Sequence, residues 1–201
     1  MLLTKGVVGK SWSLNSFNTR LQALPSGDIE VHWSANRSNV FKNQGNGQFS
    51  GTDLVTLYDK LITNEDDSFT LTRQNQSIYQ FDTNGWLVAL SNQQGQTLEF
   101  KHDDAGRLLQ VTEPVSGVFL KYAYNNNGLL ATVTDSLNRQ VRLGYDSEHN
   151  LVTITNAAGK TTTYTYNEFG QTLTGTNGDG VRLFTNNYDS EGRIIAQDDS
   201  V

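Results

Sequence analysis

Four aspartates recur along this 201-residue chain at related positions: Asp82, Asp103, Asp146 and Asp189. Carboxylates repeated in this way suit two chemistries, a ladder of calcium ligands or the capping of tight turns. Calcium takes about six to eight oxygens gathered around one point. The sequence holds no Gly-Gly-x-Gly-x-Asp nonapeptide to gather them. An Asp at the head of a turn instead accepts bonds from backbone N–H groups a few residues on, and turn capping is the expected role. The histidines His32, His102 and His149 are the other groups suited to acid–base work near neutrality. No Gly-x-Ser-x-Gly elbow and no phosphate-cradling glycine loop accompanies them. A row of tyrosines (Tyr122, Tyr124, Tyr145, Tyr164 and Tyr166) offers a third chemistry, a stacking platform for glycans. Aromatic residues at sheet period more often serve core packing. Catalytic, cofactor-binding and metal-binding residues are therefore not expected.

The elements that must position these side chains are written as a repeat. One phrase reads Phe81-Asp82-Thr83-Asn84-Gly85, then His102-Asp103-Asp104-Ala105-Gly106, then Tyr124-Asn125-Asn126-Asn127-Gly128. It returns as Tyr145-Asp146-Ser147-Glu148-His149, Tyr166-Asn167-Glu168-Phe169-Gly170 and Tyr188-Asp189-Ser190-Glu191-Gly192. The first residues of the six phrases lie 21, 22, 21, 21 and 22 apart. A second turn falls between successive phrases: Asn92–Gly95, a longer Glu113–Gly117, Asp135–Asn138, Asn156–Gly159 and Asn177–Gly180. Gly or Asn at the end of a turn tolerates the positive φ that most residues resist. His149 departs from this rule, and Asn150 after it is the expected holder of the left-handed position.

Between the turns the residues alternate with period two. Leu98, Phe100 and His102 share one face, as do Leu120, Tyr122 and Tyr124, then Val141, Leu143 and Tyr145, then Thr162, Tyr164 and Tyr166. The returning strands carry Val88/Leu90, Leu109/Val111, Ala131/Val133 and Val152/Ile154 in matching slots. One extra residue before Tyr188 is expected to form a bulge or a longer turn. The fold class this predicts is all-β: tandem antiparallel β-hairpin repeats of about 21 residues, forming a twisted, spiralling extended sheet.

Residues 1–78 lack the phrase but read as a β-rich lead-in segment, with the repeats occupying 79–201 and the last one incomplete. Strands are expected around Asp28–Trp33 and Ser68–Thr72, and a turn at Leu24–Asp28. Phe41–Gly51 is rich in Gly, Asn and Gln and reads as a loop with Asn46-Gly47 at its tip. Thr52–Leu61 reads as a strand or irregular edge, with a short helical turn capped by Thr52 or Asp53 as the alternative.

Composition narrows the partners. The net charge is −6, with 15 Lys and Arg against 21 Asp and Glu. No basic patch is present of the kind that phosphate-backbone binding needs, so nucleic acid is not an expected partner. No apolar run approaches the length of a transmembrane helix, and no signal peptide is visible. Cysteine is absent, which rules out disulfides within the chain.

Tyr188-Asp189-Ser190-Glu191-Gly192-Arg193-Ile194 and Tyr145-Asp146-Ser147-Glu148-His149-Asn150-Leu151 resemble the signature of YD-repeat proteins, also called RHS proteins. At the front, Gly6-Val7-Val8-Gly9-Lys10-Ser11-Trp12-Ser13-Leu14 resembles the Gly-x-Gly-Trp-Ser-Leu lead-in of bacterial RHS proteins, with Lys10-Ser11 inserted before Trp12. The resemblance is specific over 79–201 and weaker over 6–78. It implies a spiralling β-sheet shell, as in bacterial RHS proteins, toxin-complex components and teneurins, and in the bacterial proteins the shell encloses a C-terminal toxin. The implied partners are then the rest of a longer chain and an enclosed cargo or toxin domain. The implied location is secreted or at the bacterial cell surface. The family's Asp-Pro-rich self-cleaving motif is absent, since neither Pro25 nor Pro114 follows an Asp. No catalytic residue is carried over. The alternative is an adhesion module that displays the sheet to glycans or to a partner protein.

Overall fold

The computed structural model describes Val8 and residues 19–199. The lead-in motif of residues 6–14, including Trp12, lies outside the described residues apart from Val8. The chain separates into two compact units, Leu14–Leu120 and one built on Lys121–Val201. Regular structure among the described residues is entirely β.

The first unit holds β1 (Arg20–Ala23), β2 (Ile29–Ser34), β3 (Arg37–Gly45), β4 (Gln48–Gly51) and β5 (Lys60–Thr63). It continues through β6 (Phe69–Thr72), β7 (Ile78–Phe81), β8 (Leu87–Ser91), β9 (Thr97–His102) and β10 (Leu108–Glu113). Each strand pairs antiparallel with the next in sequence. One apolar row crosses six strands in register: Phe49, Leu61, Leu71, Tyr79, Leu90 and Leu98. Leu61 and Leu71 in this row are fully buried, as are Val31 and Phe41. A hairpin alone is marginal in water, and such rows give neighbouring hairpins their stability. The meander also curls back on itself. Leu21 N–H donates to the Gly85 carbonyl at 2.8 Å, so β1 docks on the β7–β8 turn.

Strand β11 (Val118–Tyr124) runs across the boundary between the units. The second unit continues with β12 (Leu130–Asp135), β13 (Gln140–Tyr145), β14 (Leu151–Thr155), β15 (Thr161–Tyr166), β16 (Thr172–Thr176), β17 (Arg182–Tyr188) and β18 (Ile194–Asp199). From β12 onward each strand again pairs antiparallel with the next. Tandem antiparallel hairpins are therefore the architecture, as the repeat spacing predicts.

Several local expectations need correction. Phe41–Gly51 is not a loop: it forms the facing ends of β3 and β4, and only Asn46-Gly47 turns. Its Asn and Gln side chains are exposed, which explains the loop-like composition. Thr52–Leu61 is not a strand until Lys60. Asp53 Oδ1 instead accepts the Val55 and Thr56 N–H groups and closes a turn, which is the capping role of the alternative reading without a helix. Thr56 is fully buried there and packs against Gly51, where a Cβ would collide with it.

The returning strands also differ in register. Leu87 faces Phe81 and Leu90 faces Tyr79, so these two share a face and Val88 is the extra residue of a bulge. Leu108 with Val111, and Leu151 with Ile154, repeat the arrangement. Leu87 and Leu151 are 1% exposed, and Leu108 is 6% exposed. The bulge reverses the parity that simple alternation assigns. The extra residue before Tyr188 is likewise a bulge at Leu183, since Gly175 faces Phe184 and Thr176 faces Arg182.

Candidate functional site

Each phrase closes on the same five-residue frame. Asp103 N–H donates to the Arg107 carbonyl at 3.0 Å, and Gly106 N–H donates to the Asp103 carbonyl at 2.9 Å. This is a type I turn followed by a left-handed residue, one of the common three-residue hairpin connections. Asp103 Oδ1 accepts the Ala105 and Arg107 N–H groups at 3.0 and 2.8 Å. Its Oδ2 accepts Arg107 Nε at 2.7 Å. Asp135 with Arg139, and Asp189 with Arg193, repeat the complete set. Asp82 accepts the Asn84 and Trp86 N–H groups. Asp146 accepts the Asn150 N–H and, at 3.0 Å, the Asn150 amide. Asn92, Asn125, Asn156, Asn167 and Asn177 do the same work without charge.

The carboxylates are thus occupied by turn closure, and their acidity reflects it. Burial pushes the Asp103 carboxyl up, but the Arg107 amide and guanidinium and the Ala105 amide outweigh it and hold it below its ordinary value. The Arg139 guanidinium lowers Asp135, and the Arg193 amide and guanidinium lower Asp189. Among the described residues, no three His, Asp or Glu side chains gather as a metal site would need.

The left-handed position falls on Gly85, Gly106, Gly128, Gly170 and Gly192. In the fourth phrase His149 itself takes it, at φ 67°, and not Asn150. Closure requires the fourth residue to be left-handed, and the Asn150 side chain is committed to Asp146. The frame also occurs before residue 78, at Leu24–Asp28, Asn64–Ser68 and Arg73–Ser77. Asp67 and Gln76 hold the left-handed position in the latter two, so no glycine marks them in the sequence.

In the last three phrases the first residue ties its repeat to the one before it. Tyr145 Oη donates to the Leu130 carbonyl at 2.7 Å, and Tyr166 Oη donates to the Leu151 carbonyl at 2.6 Å. Tyr188 Oη reaches the Thr172 carbonyl at 2.8 Å, one residue further back because of the bulge at Leu183. Each acceptor lies on the first residue of the strand that follows the preceding phrase. Burial, with the neighbouring Tyr166, pushes the Tyr145 hydroxyl up to about 12, so it stays a donor throughout the neutral range. The tyrosines are packing groups first: Tyr122 is 8% exposed, and Tyr145, Tyr164 and Tyr166 are only partly exposed.

In the first unit the same slot holds Phe81, buried, and His102. The His102 ring stacks on Trp86 at 5.9 Å, and Trp86 in turn lies against Gly106, where no Cβ would fit. Burial lowers the His102 pKa against the opposing pull of Asp82 and Asp103, which favours the neutral ring. His32 contacts Glu30 at 3.3 Å within β2. The structure does not bring the three histidines together as a catalytic group.

Another cluster was not foreseen. Arg73 sits over the Trp33 ring at 4.5 Å and forms an ion pair with Asp59 at 2.7 Å, with the Asp59 side chain 1% exposed. The Nε–H does not point along this contact, which makes it an ion pair rather than a directed hydrogen bond. Trp33 donates to Asn39 at 2.6 Å, and Asn39 donates to Asp53 in the turn after β4. Tyr79 meets Trp33 edge-on at 5.9 Å. These residues are far apart in sequence and off the repeat period, so no spacing in the sequence brings them together. Beside them the turn exposes Leu54, Val55, Leu57 and Tyr58 to solvent.

No curated protein matches the chain. Among solved structures it is similar to the Tc holotoxin pore of Photorhabdus luminescens, with 16% identity and a TM-score of 0.49. That match covers 89% of this chain and 10% of the other. It is also similar to a TcdB2–TccC3–Cdc42 crystal structure, with 13% identity and a TM-score of 0.46, covering 93% of this chain and 14% of the other. The chain therefore spans a small part of the length of these proteins. The Teneurin YD-shell family matches residues 87–197, more than half of the sequence and all but the first of the six phrases. The chain belongs to the Teneurin YD-shell family.

Proposed function

We propose that this chain is a wall segment of a shell that encloses a toxin or other cargo domain of a longer polypeptide. In this reading residues 1–78 lead into the wall and 79–201 build it, without catalytic turnover, in a protein that is secreted or held at the cell surface. The observation that carries the reading is the tyrosine seam. Three successive phrases hand a hydroxyl back to the preceding repeat, so neighbouring hairpins are joined by side chains as well as by strand pairing. A wall needs such repeat-to-repeat coupling, and nearest-neighbour contacts supply the stability of an array.

The test is protease protection in the complete parent polypeptide. Enclosed cargo resists digestion in the parent with the native wall. It becomes digestible when Tyr145→Ala and Tyr166→Ala loosen the seam. Cargo cleaved equally fast in both forms overturns enclosure. A second reading, a protein-binding or glycan-binding adhesion module, draws on the exposed Leu54, Val55, Leu57 and Tyr58. Saturable binding to a glycan panel or to a surface protein, lost on Tyr58→Ser, supports it. Flat titrations remove it.

A further inference from the structure

We propose that Asn46 is a site of spontaneous deamidation, the Asn-Gly pair of this chain that the fold leaves open to the reaction. The sequence contains four such pairs: Asn46-Gly47, Asn84-Gly85, Asn127-Gly128 and Asn177-Gly178. In each, the glycine amide nitrogen can lose its proton to a base in solution and attack the asparagine Cγ. A C–N bond forms, and ammonia leaves with a proton from water, giving a five-membered imide. Water then opens the imide. Cleavage of the new Cγ–N bond leaves Asp on the original backbone. Cleavage of the former peptide bond leaves isoaspartate, with the backbone rerouted through Cγ. Water and hydroxide are the only co-reactants.

The attack needs an amide nitrogen that is not held by its own hydrogen bond and an asparagine side chain free to swing onto it. The fold denies one or the other at three pairs. Gly85 N–H donates to the Asp82 carbonyl at 3.0 Å, and the Gly85 carbonyl is held by Leu21. Gly128 N–H donates to the Asn125 carbonyl at 2.9 Å. The Asn177 side chain is held by Asp179 and Val181 N–H groups on its Oδ1, at 3.0 and 2.9 Å. Gly178 is also crowded by Lys160 and Thr161. At the tip of the β3–β4 hairpin the situation differs. Asn46 is exposed, its side chain has no hydrogen-bond partner among the described residues, and Gly47 N–H donates to none. The surrounding bonds hold the arms of the hairpin: Gly45 N–H donates to Asn43 Oδ1 at 2.8 Å, and Thr63 N–H donates to the Gly47 carbonyl at 2.7 Å.

The two products have unequal consequences. Asp is tolerated in the left-handed conformation that Asn46 adopts at φ 51°. Isoaspartate lengthens the backbone inside a two-residue turn, which shifts the Gly45–Gln48 pairing and the bond from Thr63.

The experiment incubates the folded chain, and the same chain in concentrated urea, at mildly alkaline pH. Cleavage after Lys and Arg places the four pairs in separate peptides, 43–60, 74–101, 122–139 and 161–182. Mass spectrometry reads the exchange of NH2 for OH in each. In the folded chain Asn46 is expected to convert at least about fivefold faster than any other pair, the factor set by one ordinary hydrogen bond that must open first. In urea the four rates converge. Another pair leading in the folded chain, or four equal rates there, overturns the proposal.

Discussion

Removing one tyrosine of the seam separates its two contributions. A fully enclosed Tyr buries about 150–250 Å2. The Tyr145 ring is left partly open. At about 120 Å2 and about 25 cal/mol per Å2, it contributes about 3 kcal/mol, an upper figure because unfolded chains already bury some surface. The hydroxyl adds about 1 kcal/mol through its bond to the Leu130 carbonyl, on a residue 1% exposed. Tyr145→Phe is therefore expected to cost about 1 kcal/mol and Tyr145→Ala about 4 kcal/mol. Urea unfolding followed by far-ultraviolet circular dichroism measures both, with Tyr145→Phe lowering the midpoint without changing the slope. Spectrophotometric titration adds an independent check: burial pushes the Tyr145 hydroxyl up to about 12, so the late phenol ionisation expected of wild type should be missing from Tyr145→Phe. If Tyr145→Phe matches wild type within measurement error while Tyr145→Ala unfolds the unit, the hydroxyl does not couple the repeats. If both are neutral, the ring is not part of the packing.

Gly106→Ala places a Cβ into the Trp86 ring at φ 75°, and a loss of about 3 kcal/mol is expected in thermal unfolding; Gly95→Ala, with open space around it, is expected to lose only about 1 kcal/mol from its left-handed backbone. Arg73→Ala leaves Asp59 buried without its ion-pair partner and is expected to cost about 3–5 kcal/mol, with a change in Trp33 fluorescence as the cation leaves its ring. Acid sensitivity follows from the carboxylates. The Lys42 ammonium, with the Asn43 amide and the Ser26 hydroxyl, lowers Asp28 from 3.8 to about 2. Its folded value lies below its unfolded one, so its stabilisation is complete above about pH 4 and is lost as pH falls through about 2. Asp28→Asn is expected to flatten the acid side of a stability–pH profile, and an unchanged profile would remove Asp28 as a contributor.

The parts of this fold that depend on neighbours in sequence were legible, and those that depend on partners across the sheet were not. The frame at Asp103–Arg107 closes with a capping carboxylate, a terminal glycine and two local bonds, so its residues announce it. The same frame at Arg73–Ser77 has no capping acid and puts Gln76 in the left-handed position, so nothing in its composition marks it. Strand faces were legible up to the bulge. Val88 reads as a core residue by alternation, but the extra residue hands that place to Leu87. Phe41–Gly51 misled because an exposed hairpin end carries polar side chains as a loop does, while the pairing that makes it a strand lies in the backbone. The tyrosine seam was visible only as periodic aromatic residues. Its acceptors are carbonyls, which every residue has and no residue type reveals.

The direction of the seam bears on how such a chain can grow. Each tyrosine spends its hydroxyl on the strand behind it, 15 residues back at Tyr145 and Tyr166. A duplicated or deleted whole unit leaves every surviving bond with an equivalent partner, so the gene can change the length of the array in unit steps without redesigning a junction. An odd residue is a different event. At Tyr188 the offset becomes 16, and the bulge at Leu183 absorbs the difference within one hairpin. Errors in repeat number and errors in repeat length are thus corrected by different means, the first by equivalence of the joints and the second by a local kink.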